Sequence, residues 1–134
     1  DRGPVAAASG PPGPQRQSAK DAMSDSKADL LKGTLDLLIM KALTLGPQHG
    51  YGIARWLEES SHALLRIEEG SLYPALYRME KRGWIRSEWG ISESNRNARY
   101  YRITRQGQDQ LQLQELGWER LVRAISLVLG RQAS

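Results

Sequence analysis

Ser71, Tyr73, Tyr77, Arg78 and Lys81 place three hydroxyls, a guanidinium and an ammonium within eleven residues. Such groups bond to phosphate oxygens, and the arginine fork also matches O6 and N7 of guanine. They sit in a segment where Leu72, Leu76 and Met79 recur at i, i+4 and i+7, one buried stripe of a helix. Ser71, Tyr77, Arg78 and Lys81 fall on the opposite face. Tyr73 reads two ways, as a contact to nucleic acid or as a ring packed inward beside Leu72 and Leu76. Arg96 and Arg99 follow in a polar loop with Asn95 and Asn97, where cations reach a phosphate backbone or a minor groove.

The elements that must hold these groups can be drawn from pattern and punctuation. The helix is predicted over 69–82. Glu68 and Glu69 favour the dipole at its start, Pro74 constrains its first turns, and Gly83 caps it. Two strands follow at 84–91 and 98–103. A helix with a hydroxyl-and-cation face beside a basic hairpin tip is the layout of a winged helix-turn-helix.

A first helix is predicted over 27–45. Leu31, Leu35, Leu38, Ala42 and Leu45 lie inward, Leu30, Leu37 and Ile39 widen the stripe, and Gly46-Pro47 stops it. A second spans 50–59 with Ile53, Ala54 and Leu57 inward. The connector 60–68 is expected to add a short strand at 64–67. Thr104 is a good N-cap for a last helix over 105–129, and Gly130 a good stop. Leu111, Trp118, Val122, Ile125 and Leu129 form one apolar stripe on that helix; Leu113, Leu121 and Val128 form another. A terminal helix with two apolar faces has nothing left in its own domain to pack on. A second copy of the chain is the economical partner.

Composition narrows the function. The 134 residues suit one domain with a modest core. There is no cysteine, which excludes disulfides and thiolate chemistry. His49 and His62 stand thirteen positions apart with no acidic cluster around them, so no metal site and no cofactor are expected. A net charge of +4 and a pI of about 9.6 suit a polyanionic partner. No apolar run approaches a membrane span and no secretory signal is visible, so the expected compartment is the cytoplasm. Residues 1–22 hold four of the six prolines and read as a disordered tail without function, ahead of a natural start at Met23. Enzymatic readings fail: Ser60-Ser61-His62 is no positioned triad, Gly50-x-Gly52 is no dinucleotide fingerprint, and Glu58, Glu59, Glu68 and Glu69 are surface carboxylates near helix ends.

Four segments, LKGTLDLLIMKAL (31–43), HGYGIARWLEE (49–59), EEGSLYPALYRMEKRGWI (68–85) and NARYYRITRQG (97–107), together resemble the PadR family of bacterial transcriptional regulators. The resemblance covers about residues 27–129, and the single terminal helix is similar to the family's short-chain branch. It implies a dimer that represses nearby genes, many relatives releasing DNA on binding a small molecule. It implies DNA contacts from Ser71, Tyr73, Pro74, Tyr77, Arg78 and Lys81, and a backbone contact from Tyr51. The wing tip departs from the pattern: SESNRNAR carries Glu93 where relatives often have glycines and further cations. The resemblance also suggests operators with inverted repeats of the ATGT/ACAT kind.

The resulting expectation is a mainly α protein of the α+β class, a winged helix-turn-helix with a long C-terminal dimerisation helix. Residues 1–26 form a disordered extension, 27–104 the DNA-binding domain, and 105–130 the dimerisation helix. The partners are double-stranded DNA and a second copy. Trp118, beside Gly117, is either interface packing or one of two rings flanking a flat aromatic effector. Trp84 and Trp89 are expected in hairpin and core packing. The competing function is a winged-helix protein–protein module that has lost DNA binding, which an apolar or charge-reversed helix face would favour; Arg78 and Lys81 argue against it.

Overall fold

The computed structural model describes residues 34–131. Four helices and a three-stranded antiparallel sheet form a winged helix, with the chain order α1 (Leu35–Leu43), β1 (Gln48–His49), α2 (Gly50–Ser60), α3 (Glu69–Lys81), β2 (Ile85–Ile91), β3 (Asn97–Ile103) and α4 (Arg105–Leu129). The sheet order is β1-β3-β2. Ile85 pairs with Ile103 at the base of the β2–β3 hairpin, and Ile91 with Asn97 near its tip. No helix among the described residues is long and apolar enough to cross a membrane.

The core lies where α1, α2 and α3 meet the base of that hairpin. Ile39, Met40, Ile53, Leu76 and Met79 are fully enclosed there. α2 and α3 contribute the stripes their apolar spacing dictates, whereas in α1 Ile39, Met40 and Leu43 are buried with Leu35 and Ala42, and Leu38, predicted inward, is only partly buried. Leu72, Ala75, Leu76 and Met79 turn one side of α3 inward. That leaves Pro74, Tyr77 and Lys81, at spacings of three and four, on the outer side.

Two local devices end α3 and begin α4. Gly83, at φ 81, donates its N–H to Glu80 O at 3.0 Å, and Trp84 N–H reaches Met79 O at 3.1 Å. This left-handed glycine cap closes the helix and launches β2 in one step. At the other junction Thr104 Oγ1 accepts from Gly107 N–H at 3.0 Å, capping α4. The helix then runs over Arg105–Leu129, as its punctuation predicts, and ends at Gly130 with φ 75.

Several expectations change. The first helix ends at Leu43, short of Gly46, where φ is 135. Leu45 therefore lies outside the helix and is exposed rather than inward. The portion of that helix predicted over 27–33, with Leu30 and Leu31, and the proposed extension over 1–26 lie outside the described residues. Residues 64–67 form no strand. His62 and Ala63 adopt positive φ (53 and 66), and Ser61 Oγ accepts the Leu65 N–H at 2.9 Å, so a turn at 61–63 leads into an irregular stretch over 64–67. Among the described residues no strand pairs with it. The third strand is instead β1, whose two residues pair with Tyr101 and Tyr100 across the sheet.

Leu111, expected between subunits, is 5% exposed and belongs to the core of the single chain. The rest of the apolar stripe on α4 is open in the single chain: Trp118 is 45%, Val122 37%, Ile125 48% and Leu129 61% exposed. Trp84 packs partly buried against the core. Trp89, expected to do likewise, is 69% exposed, because its half of the hairpin overhangs the body.

Candidate nucleic-acid interface

The outward side of α3 presents its groups in a row. Tyr77 is exposed, and Lys81 Nζ lies 5.1 Å from its ring centroid, a cation–π contact that stiffens the longer side chain. Ser71 stands exposed in the first turn and Pro74 in the second. Arg78 flanks the row on the side of α1. Its Nη2 donates to Asp36 Oδ1 at 2.8 Å, so this guanidinium is tethered to the first turn of a different helix.

Tyr73 flanks the row on the other side and does not pack inward beside Leu72 and Leu76. Its ring lies over Gly50, at the start of α2. A β-carbon on Gly50 would come within 2.6 Å of the Tyr73 hydroxyl oxygen and 2.8 Å of the ring. Close approach of the aromatic explains a glycine at that position. Tyr73 remains 44% exposed and lines the same groove as exposed Tyr51 in the first turn of α2.

The hairpin tip closes on itself. Ser92 N–H donates to Arg96 O at 2.8 Å, Asn95 N–H donates to Ser92 O at 2.9 Å, and Asn95 supplies a left-handed φ of 61. Arg96 projects from this turn, and no carboxylate among the described residues pairs with it. Arg99 is not in the loop, as its neighbours suggested, but in β3. Its Nε donates to Ser87 Oγ at 2.8 Å, that hydroxyl donates to Glu80 Oε2 at 2.6 Å, and the guanidinium sits 5.7 Å from the Trp89 ring centroid. This chain of contacts ties the hairpin to α3.

Glu93 is also tied. His49 Nδ1 accepts the Gly52 N–H at 3.0 Å, capping α2. In the neutral ring the proton must then lie on Nε2, which donates to Glu93 Oε1 at 3.3 Å. Backbone hydrogen bonding in its own turn, and then His49, hold the Glu93 carboxyl below the usual carboxylate range. The acidic residue that departs from the resemblance is thus paired, and it links the wing tip to the start of α2. Elsewhere, burial raises the Tyr101 phenol above its ordinary value, and Glu59 raises Arg55.

Between hairpin and α2 lies an open groove of about 610 Å³, lined in part by Tyr51, Arg55, Tyr73, Trp89, Arg96 and Arg99. Three of these are cations, and the exposed aromatics supply flat apolar surface among them. Arg55 and Trp89 join the predicted set here. Arg55 was legible, being one helical turn from Tyr51; Trp89 was not, because alternation along β2 assigns it inward. Trp118 stands apart from this surface, on α4, and a β-carbon on neighbouring Gly117 would meet nothing within 4 Å. The groups that the hypothesis of DNA contact needs therefore come from α2, α3 and the wing, while those that a second subunit needs come from α4.

Comparison with known proteins assigns this arrangement. The PadR-like family of transcriptional regulators matches residues 39–113. A transcriptional regulator from Clostridium thermocellum is 33% identical, the match covering 73% of this chain and 95% of that one with a TM-score of 0.68. A PadR family regulator from Eggerthella lenta is 30% identical over 84% of this chain and 96% of its own, with a TM-score of 0.69. A PadR-like regulator from Bacillus cereus is 27% identical over 78% and 99%, with a TM-score of 0.66. By family match, by identity and by fold, this chain belongs to the PadR-like family of transcriptional regulators.

Proposed function

We propose that the chain acts as a homodimeric repressor that reads a pseudo-palindromic operator through α3 and touches the flanking backbone through the wing. The observation that supports this best is the outward side of α3: exposed Tyr77 and Lys81, flanked by Tyr73 and Arg78, project away from a fully apolar inner stripe. Ser71, Pro74 and Tyr51 extend the same surface, and Arg96 and Arg99 serve the wing side. Two such helices related by a two-fold axis fit half-sites about one turn, ~34 Å, apart. The second copy docks on the open stripe of α4. A protein–protein module would show no base preference, and this is where the two readings part.

Arg78→Ala is expected to weaken operator binding by about 1–3 kcal/mol and to relax preference at one position in each half-site. Arg96→Ala should weaken all duplexes alike and flatten the salt dependence by about one phosphate contact. Titration of operator and scrambled duplexes at several salt concentrations separates the two. Equal losses on both duplexes for Arg78→Ala would remove its base-reading role, and no loss from either variant would favour the protein-interaction reading.

We propose regulation by a flat aromatic effector at Trp118, a reading supported by that ring's exposure on the open stripe of α4 and the open space at Gly117. Two such rings across the two-fold axis can stack on one ligand and change the spacing of the recognition helices. The ligand acts only through its differential affinity for the two arrangements. Planar cationic or phenolic compounds should quench tryptophan fluorescence, and Trp118→Ala should abolish most of that quenching while sedimentation still shows a dimer. Unchanged quenching in the variant would place the effector elsewhere.

A further inference from the structure

The cations on the DNA-facing side differ in whether they carry a counter-charge. Lys81 lies over a tyrosine ring, and Arg96 has no carboxylate among the described residues. Arg78 is different. It holds Asp36 at 2.8 Å, across forty-two residues of sequence. Of the ion pairs among the described residues this is the shortest, and the Asp36 side chain is only 15% exposed. That length is typical of a charge-assisted bond, not of a loosely solvated surface pair.

We propose that Asp36 is a specificity-determining residue: it orients the Arg78 fork and screens its charge, so that Arg78 discriminates between base pairs while adding little to sequence-independent binding. This rests on the DNA-reading function proposed above. A guanidinium has five N–H donors, and Asp36 takes one of them. The edge between the two terminal nitrogens can still give parallel bonds to guanine O6 and N7. The paired carboxylate removes rotamer freedom that an unattached arginine would lose on binding. It also sets a negative charge near any duplex that approaches α3. A wrong base then leaves Arg78 without its acceptors and Asp36 facing the phosphates without compensation. The sequence-independent attraction falls to Lys81 and Arg96. Asp36 also stands in the first turn of α1, where negative charge favours the helix dipole, so its role must be separated from a purely structural one.

The test uses the full-length protein and two duplexes: one enriched by the wild type from a randomised pool, and a scrambled version of it. Asp36→Asn keeps shape and removes charge. It should raise affinity for the scrambled duplex and lower the enriched-to-scrambled ratio by about tenfold, the low end of what one well-read base pair is worth. Introduced into Arg78→Ala, the same change should leave the ratio where Arg78→Ala set it. Asp36→Glu keeps the charge and displaces the carboxylate. It should lower the ratio without raising scrambled-duplex affinity, which separates orientation from screening and serves if Asp36→Asn melts early. An unchanged ratio in Asp36→Asn, or equal changes with and without Arg78, overturns the role of Asp36 alone. A wild type that enriches no duplex overturns the DNA-reading function and this inference with it.

Discussion

Val122→Asp is expected to convert the protein to monomers at micromolar concentration in sedimentation. On a single chain Val122 is 37% exposed, flanked on the same stripe by Trp118, Ile125 and Leu129 at 45%, 48% and 61%. Covering large apolar side chains that lie together on one helix face is favourable, each fully buried one contributing about 1.5–3 kcal/mol. A carboxylate at the centre of such a seam must be desolvated without a partner. That costs several kcal/mol, and two-fold symmetry imposes it twice, roughly enough to take a nanomolar dimer past micromolar. The winged-helix body should survive, because Val122 is no part of its core. Leu111, which anchors the first half of α4 in that core, is untouched. Far-UV circular dichroism should lose signal only to the extent that the far half of α4 frays without its partner. A variant that sediments as an intact dimer would show that the outward stripe of α4 is not the subunit contact.

Gly107→Ala should destabilise the protein by about 3 kcal/mol or more, the upper end for overpacking a closed site. Alanine inside a helix ordinarily stabilises relative to glycine by up to about 1 kcal/mol, so the sign alone is informative. Gly107 is in the first turn of α4, and its Cα faces the backbone of Trp84. A β-carbon there would overlap the Trp84 carbonyl oxygen and stand 3.0 Å from its carbonyl carbon and 2.8 Å from Ile103 Cγ1. The carbonyl cannot step aside cheaply. It accepts the Thr104 N–H at 3.0 Å and lies just beyond the glycine cap that closes α3. The end of α3, the base of the hairpin and the start of α4 are thus joined at one close approach. For a body of about 100 residues, each kcal/mol lowers Tm by some 4–8 °C. A melting temperature equal to or above that of the wild type would show that the contact is not as tight as the geometry makes it.

Both variants act where local sequence and tertiary packing meet, and they show how far the sequence reaches. Thr104 and Gly130 bound α4 in the sequence as they do in the fold. A cap is made by residues within four or five positions of one another, so no distant contact is needed to know it. The inner stripe of α3 is legible for the same reason. Gly50 and Gly107 are only punctuation in the sequence. Their cause is a Tyr73 ring and a Trp84 carbonyl brought from elsewhere in the chain.

The sequence by itself therefore determined the order of the helices, the inward faces of α2 and α3, the hairpin, the family and the residue types facing outward from α3. The tertiary structure alone decided how those residues are occupied. It shortened α1 and turned Leu45 out, left 64–67 without a strand partner, and gave β3 a neighbour in β1. It placed Leu111 in the core of the single chain and left Trp89 open. It also set Asp36 on Arg78, Glu80 and Ser87 on Arg99, and His49 on Glu93. Periodicity records which side of an element is apolar, because burial repeats with the backbone. It does not record which charge on one element meets which charge on another. Those pairs are fixed only when packing brings residues such as 36 and 78, or 49 and 93, within reach of a single hydrogen bond.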